Sequence, residues 1–226
     1  MATPRSQRIG IWIIAIVLTV GTFGSFLAMV LGNQNKKVDQ TNLQTAYSDY
    51  QAKSNVYNTK VAAQAKTLSD KYYGDFKQYS STPAVFKADG IKTLDKKDLV
   101  VGDGSEITTK TGYSAYYIGW NPKGVVFDQS IDKDALKSPL TVAADTQMIV
   151  GWKEGVLGMK VGGVRELTIP SSMAYGAAGQ GENIPANTPL KFIVMIIPKV
   201  DEIPQVQMPQ ILIDYYKTQQ AGTQQQ

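Results

Sequence analysis

The sequence predicts an α+β protein in which a twisted antiparallel β-sheet wraps over one short α-helix, preceded by an N-terminal transmembrane helix and a helical stalk. Three observations predict it. An uncharged apolar run covers Ile9–Gly32, residues 41–73 show helical spacing without Pro or Gly, and from Ala84 onward short apolar runs are separated by Gly, Pro, Asp and Asn.

Composition narrows the chemistry before any motif is read. With 226 residues, 43% hydrophobic and 19% charged, the chain can bury one ordinary core plus accessory segments. It has no Cys, which excludes disulfides, thiol nucleophiles and thiolate metal centres. It also has no His, the usual general base and commonest metal ligand. The net charge of +4 divides as +2 in residues 1–8, +3 in 33–80, −1 in 81–203 and 0 in 204–226. The excess lies near the N-terminus, so no phosphate-binding face and no nucleic-acid partner are expected.

Residues 1–8 form a basic flank with Arg5 and Arg8, and residues 9–32 read as a transmembrane signal anchor. About 20 apolar residues suffice to cross a bilayer, and this run exceeds the roughly 7–15 of a typical signal-peptide core. The expectation is an uncleaved, single-pass anchor in the cell membrane with the body extracytoplasmic. Residues 33–83 are the helical stalk or linker, in which Leu43, Tyr47, Tyr50, Tyr57, Val61, Leu68 and Tyr72 recur at threes, fours and sevens. Fully helical, 41–73 would reach about 50 Å. Ser54 interrupts the stripe, and Tyr and Ala stand where strong coiled coils use Leu and Ile. A single helix packing its aromatic face locally is therefore favoured over stalk self-association.

Residues 84–203 form the sheet domain. Candidate strands are Leu99–Val101, Glu106–Lys110, Tyr113–Ile118, Val125–Asp128, Leu140–Ala143, Val164–Ile169 and Leu190–Ile197, with one short helix near Met148–Leu157. Such a sheet buries its apolar face by curling over the helix. Arg165 and Glu166 read as a solvated or paired strand face. Asp132, Asp134 and Asp145 lack calcium-loop spacing, so no metal is expected. In residues 204–226, Met208–Gln220 reads as a short helix opened by Pro209, and AGTQQQ as a disordered Gln-rich tail.

Three segments resemble the FKBP-type peptidyl-prolyl cis-trans isomerases in that family's order: YYIGWNPKGVVFD (Tyr116–Asp128), MIVGWKEGVLGMKVGGVRELTIP (Met148–Pro170) and AYGAAGQGENIPANTPLKF (Ala174–Phe192). The opening VVGDG (Val100–Gly104) is similar to the family's first strand and turn. Long, ordered matches are far more specific than one short motif. The resemblance implies an FKBP-like sheet over a helix with an apolar cleft between them. It places Trp152 on the cleft floor, Tyr117, Phe127 and Phe192 on the walls, and Leu140, Met148 and Ile184 around them. Asp128 matches the carboxylate beside the substrate, and the Ile149 N–H and Tyr175 hydroxyl match the groups that bind substrate carbonyls. Gln147, Gln180, Asn183 and Ala186 depart from the family pattern at the rim, where substrate preference and macrolide affinity are set.

The implied partners are proline-containing polypeptides, with macrolide inhibitors as ligands and no cofactor. Amide resonance gives an X–Pro bond a barrier of about 18–20 kcal/mol. The twisted transition state has lost conjugation and much of the ground-state dipole, so a water-poor apolar cleft favours it without proton transfer. The reading is an isomerase serving exported polypeptides. The chief alternative is a non-catalytic, membrane-tethered chaperone or scaffold that holds proline segments in the same cleft. A third reading makes the stalk a self-associating envelope organiser.

Overall fold

The computed structural model describes residues 40–223. Among these, no helix is long and apolar enough to cross a membrane, and the flank at 1–8 and the anchor expected at 9–32 lie outside the described residues. Helix α1 (Gln40–Phe76) spans the stretch with helical spacing. Leu43 is buried and the other six stripe residues are half-buried. Ser54, expected to interrupt the stripe, is itself buried.

The chain divides into two compact units, Met1–Lys60 with Ile203–Gln226, and Val61–Glu202. The second contains the last turns of α1 and the strands β1 (Asp95–Val100), β2 (Tyr113–Trp120), β3 (Val126–Gln129), β4 (Ile131–Asp132), β5 (Ala135–Leu136), β6 (Leu140–Val142), β7 (Val164–Ile169) and β8 (Leu190–Ile197). The main sheet runs β1-β7-β8-β2-β3, with β6 also paired to β2, and every pairing is antiparallel. Helix α2 (Val150–Val156) crosses one face.

The burial of β2 explains the layering. Seven of its eight residues are buried and Tyr117 is half-buried, which an antiparallel strand shows only when both faces are covered. On one face Ala115, Leu167, Phe192, Val194 and Ile196 pack with Trp152 and Val156 of α2. On the other, Tyr116, Ile118, Trp120, Ile193 and Met195 pack with Phe76, Tyr72 and Tyr73 of α1. The Ser69 hydroxyl of α1 accepts the buried Leu136 N–H at 2.8 Å, tying the β4–β5 hairpin to the helix.

Two contacts seat α2. A Cβ at Gly155 would stand 2.6 Å from Leu167 Cδ1, and one at Gly151 would overlap Ile169, so glycine permits the close approach. Of the two readings of Arg165 and Glu166, solvated or paired, the structure shows the paired one, with Arg165 only 7% exposed. The Arg165 guanidinium donates to both Asp98 carboxylate oxygens at 2.6 and 3.0 Å and to the Gly155 and Leu157 carbonyls at 2.8 and 3.1 Å. It thereby satisfies carbonyls left open at the C-terminal end of α2 and holds the Asp98 carboxyl below the usual range. Glu166 pairs with Lys191 at 2.7 Å.

Other differences are local. The strand expected at Glu106–Lys110 reduces to one bridge, Glu106 with Lys160, because Thr108 and Thr111 hydrogen-bond each other and close a turn. Strand β1 starts four residues before the expected Leu99, through a charged DKKD run suited to a sheet edge. In the first unit, helix α3 (Gln210–Thr223) follows Pro209 and continues past the expected Gln220 into Ala221–Thr223, since backbone bonds sustain a terminal turn without an apolar face. Burial and the neighbouring Tyr47, Tyr215 and Tyr50 push the Tyr216 phenol up to about 12.

Candidate active site

The face of the sheet under α2 gathers the cleft residues. Trp152 is 2% exposed and lies edge-on to Tyr117 and Phe192, at 5.5 and 5.3 Å between ring centroids. Phe127 meets Phe192 edge-on at 5.5 Å. Ile184 is buried in the same cluster, and Leu140, Met148 and Ile149 are half-buried against it. The indole is thus a nearly covered floor. The apolar surface that reaches solvent is supplied by the half-exposed rings and aliphatic side chains above it.

Sheet register builds this arrangement. Gly119 pairs with Asp128 of β3 on one side and Phe192 of β8 on the other. A Cβ at Gly119 would come within 2.6 Å of Phe192 and 2.7 Å of Phe127, so the missing side chain lets the two rings meet. Tyr117, two residues earlier on the same face, donates its hydroxyl to Asp128 at 2.5 Å. Burial first, and then the hydrogen bond and charge of Asp128, hold the Tyr117 phenol far above its ordinary range. Tyr175, at the edge of the site, is pushed up by burial and by the same carboxylate. Both phenols therefore stay protonated at neutral pH.

Ile149 precedes α2 in an extended conformation, and its carbonyl accepts the Trp152 and Lys153 N–H groups. Its own N–H donates to no group among the described residues, as expected just before a helix. Among the described residues, no group of three or more His, Cys, Asp or Glu is arranged to hold a metal.

Two residues outside the predicted set complete the site. Tyr113 accepts a hydrogen bond from the Trp152 indole N–H at 3.0 Å, fixing the plane of the floor. Gly119 makes room for the walls. A glycine inside an apolar strand is a legible sign of close approach, whereas the Tyr113–Trp152 bond joins residues 39 apart and leaves no local trace.

The chain is similar to known proteins over this domain. A profile described as FKBP-type peptidyl-prolyl cis-trans isomerase matches residues 104–197. An FK506-binding protein of Neisseria meningitidis serogroup A is 43% identical over 102 residues, covering 45% of this chain and 91% of the relative. A probable FK506-binding protein of Corynebacterium glutamicum is 39% identical, covering 44% and 81%. The crystal structure of a peptidyl-prolyl cis-trans isomerase from Pseudomonas syringae aligns at 28% identity and a TM-score of 0.41, covering 60% of this chain and 92% of that one. With the family profile matched over residues 104–197 and nine-tenths of a 43% identical bacterial relative covered, this chain belongs to the FKBP-type peptidyl-prolyl cis-trans isomerases.

Proposed function

We propose that the domain isomerises X–Pro bonds in exported polypeptides while tethered to the membrane through residues 9–32. The observation that carries the chemistry is the Tyr117–Asp128 hydrogen bond beside the buried Trp152 and Phe192 rings and the half-buried Phe127. The rings supply a medium in which the resonance-stabilised planar amide loses its hydration while the twisted amide loses less. The Ile149 N–H and Tyr175 hydroxyl hold carbonyls flanking the rotating bond. Asp128 acts through Tyr117, orienting the phenol so that its ring closes one wall. No step requires a proton to leave the protein, which suits a site whose two phenols stay protonated. The named relatives are FK506-binding proteins, and the same floor and carbonyl-binding groups would seat a macrolide of that kind.

A protease-coupled proline-peptide assay on the full chain tests catalysis. Trp152→Ala and Tyr175→Phe are expected to lower kcat/KM, and background turnover by the wild type with intact peptide binding would turn the reading into a holding module. Tethering is tested separately by adding protease outside intact cells. Loss of the 84–203 domain supports export, and its full protection while membrane-bound refutes it.

A further inference from the structure

Two segments far apart in sequence both reach the apolar cluster around Trp152, and one side chain joins them. The turn after β2 leads into β3, which carries Phe127 and Asp128, while the loop after β7 carries Tyr175 and Ile184. Asn121, 5% exposed, sits at the root of that turn. Its Oδ1 accepts the Lys123 and Val125 N–H groups at 2.9 and 3.1 Å, and its Nδ2 donates to the Asn183 carbonyl at 2.8 Å. Two donors on one side and a carbonyl on the other assign the amide orientation. The loop is otherwise closed on itself, by Gln180 N–H to the Ile184 carbonyl and Asn187 N–H to the Gly176 carbonyl, both at 2.7 Å.

We infer that Asn121 is a positioning residue that sets the gap between the Phe127/Asp128 wall and the Ile184 loop, and thereby which residues beside the proline the site accepts. The inference rests on the isomerase reading of the cleft. A planar group with two acceptor lone pairs on one atom and a donor on the other is needed, and the turn and the loop each lose a bond if either end is missing. Aspartate has the same shape and keeps the acceptor for the turn, but it donates to the Asn183 carbonyl only when protonated. Asn121→Asp therefore makes the bridge depend on pH, which a bystander at this position would not do.

The test uses the full chain and exchange NMR of a peptide series varied on either side of proline, a readout that needs no coupling enzyme and works at both pH 4 and pH 8. Asn121→Asp relative to wild type is expected to lose about tenfold in kcat/KM at pH 8, mainly through KM and with altered peptide ranking, and to recover most of it at pH 4. Asn121→Ala should show the loss at both pH values. Unchanged KM and ranking in both variants overturns the inference. So does a loss that follows the melting temperature of each variant, which would make Asn121 a residue of the fold alone. An inactive wild type would instead refute the isomerase reading, a result distinguishable from either.

Discussion

The two faces of the sheet carry similar residues and use them differently. Under α2, the Trp152 indole N–H finds the Tyr113 hydroxyl and the Tyr117 hydroxyl finds Asp128, so the polar tips of these rings are paired. Under the end of α1, the Tyr116 hydroxyl and the Trp120 indole N–H are buried with no hydrogen-bond partner among the described residues. Rings there contact Phe76 and Tyr72 at tilted angles, with centroids 6.1 to 6.2 Å from that of Tyr116. Directional bonds fix orientation, and apolar packing fixes only proximity and volume. The cleft face is thus built for geometry and the α1 face for burial.

The largest effect should come from removing the floor. Trp152→Ala is expected to destabilise the fold by about 3–5 kcal/mol and to lower kcat/KM by more than about tenfold, measured by denaturant unfolding and peptide isomerisation. Phe76→Ala sharpens the contrast: a similar loss of about 3–5 kcal/mol, with kcat/KM of the folded protein unchanged. A matching fall in turnover would break the distinction between the faces.

Alkaline unfolding probes the α1 face more finely. Burial pushes the Tyr116 phenol up to about 12, so the unfolded chain releases this proton near pH 10 before the folded protein does. The contribution is fully present below pH 10 and is lost as pH rises toward 12. Wild type should therefore lose about 2–3 kcal/mol more than Tyr116→Phe across that interval, in unfolding curves taken at stepped pH. Smallest is a neutral-pH pair. Tyr113→Phe strands the Trp152 N–H and should cost about 1–2 kcal/mol with a few-fold drop in kcat/KM, whereas Tyr116→Phe removes an unpartnered hydroxyl and should be neutral or slightly stabilising. Equal destabilisation by the two substitutions would erase the comparison.

Much of the site is legible in the residues themselves. Phe127, Asp128, Trp152 and Phe192 stand in long ordered segments, and strand parity and the α2 register carry Phe192 and Trp152 to one face. The consecutive Phe127 and Asp128 would alternate in a regular strand; both serve the site because the β2–β3 register passes from Gly119–Asp128 to Trp120–Val126 and skips Phe127, a bulge that the residues alone do not announce. Strands β7 and β8 match their apolar runs residue for residue. The β4–β5 hairpin escapes such reading because strands of two residues show no alternation. Leu140 reaches the cluster through β6, whose three residues pair with β2 beyond the end of β3.

By itself, then, the sequence determined the helical repeat of α1, the order of the strands' apolar runs, and a chemistry that uses neither His nor Cys. Only the tertiary structure decided that the last turns of α1 cover the second face of the sheet, that Arg165 is buried against Asp98, that Tyr113 accepts the Trp152 indole N–H, and that Asn121 reaches the Asn183 carbonyl. The reason is range. Repeats of two and 3.6 residues are written in neighbours, whereas these bonds join residues 67, 39 and 62 positions apart, and their partners meet only after the chain has closed.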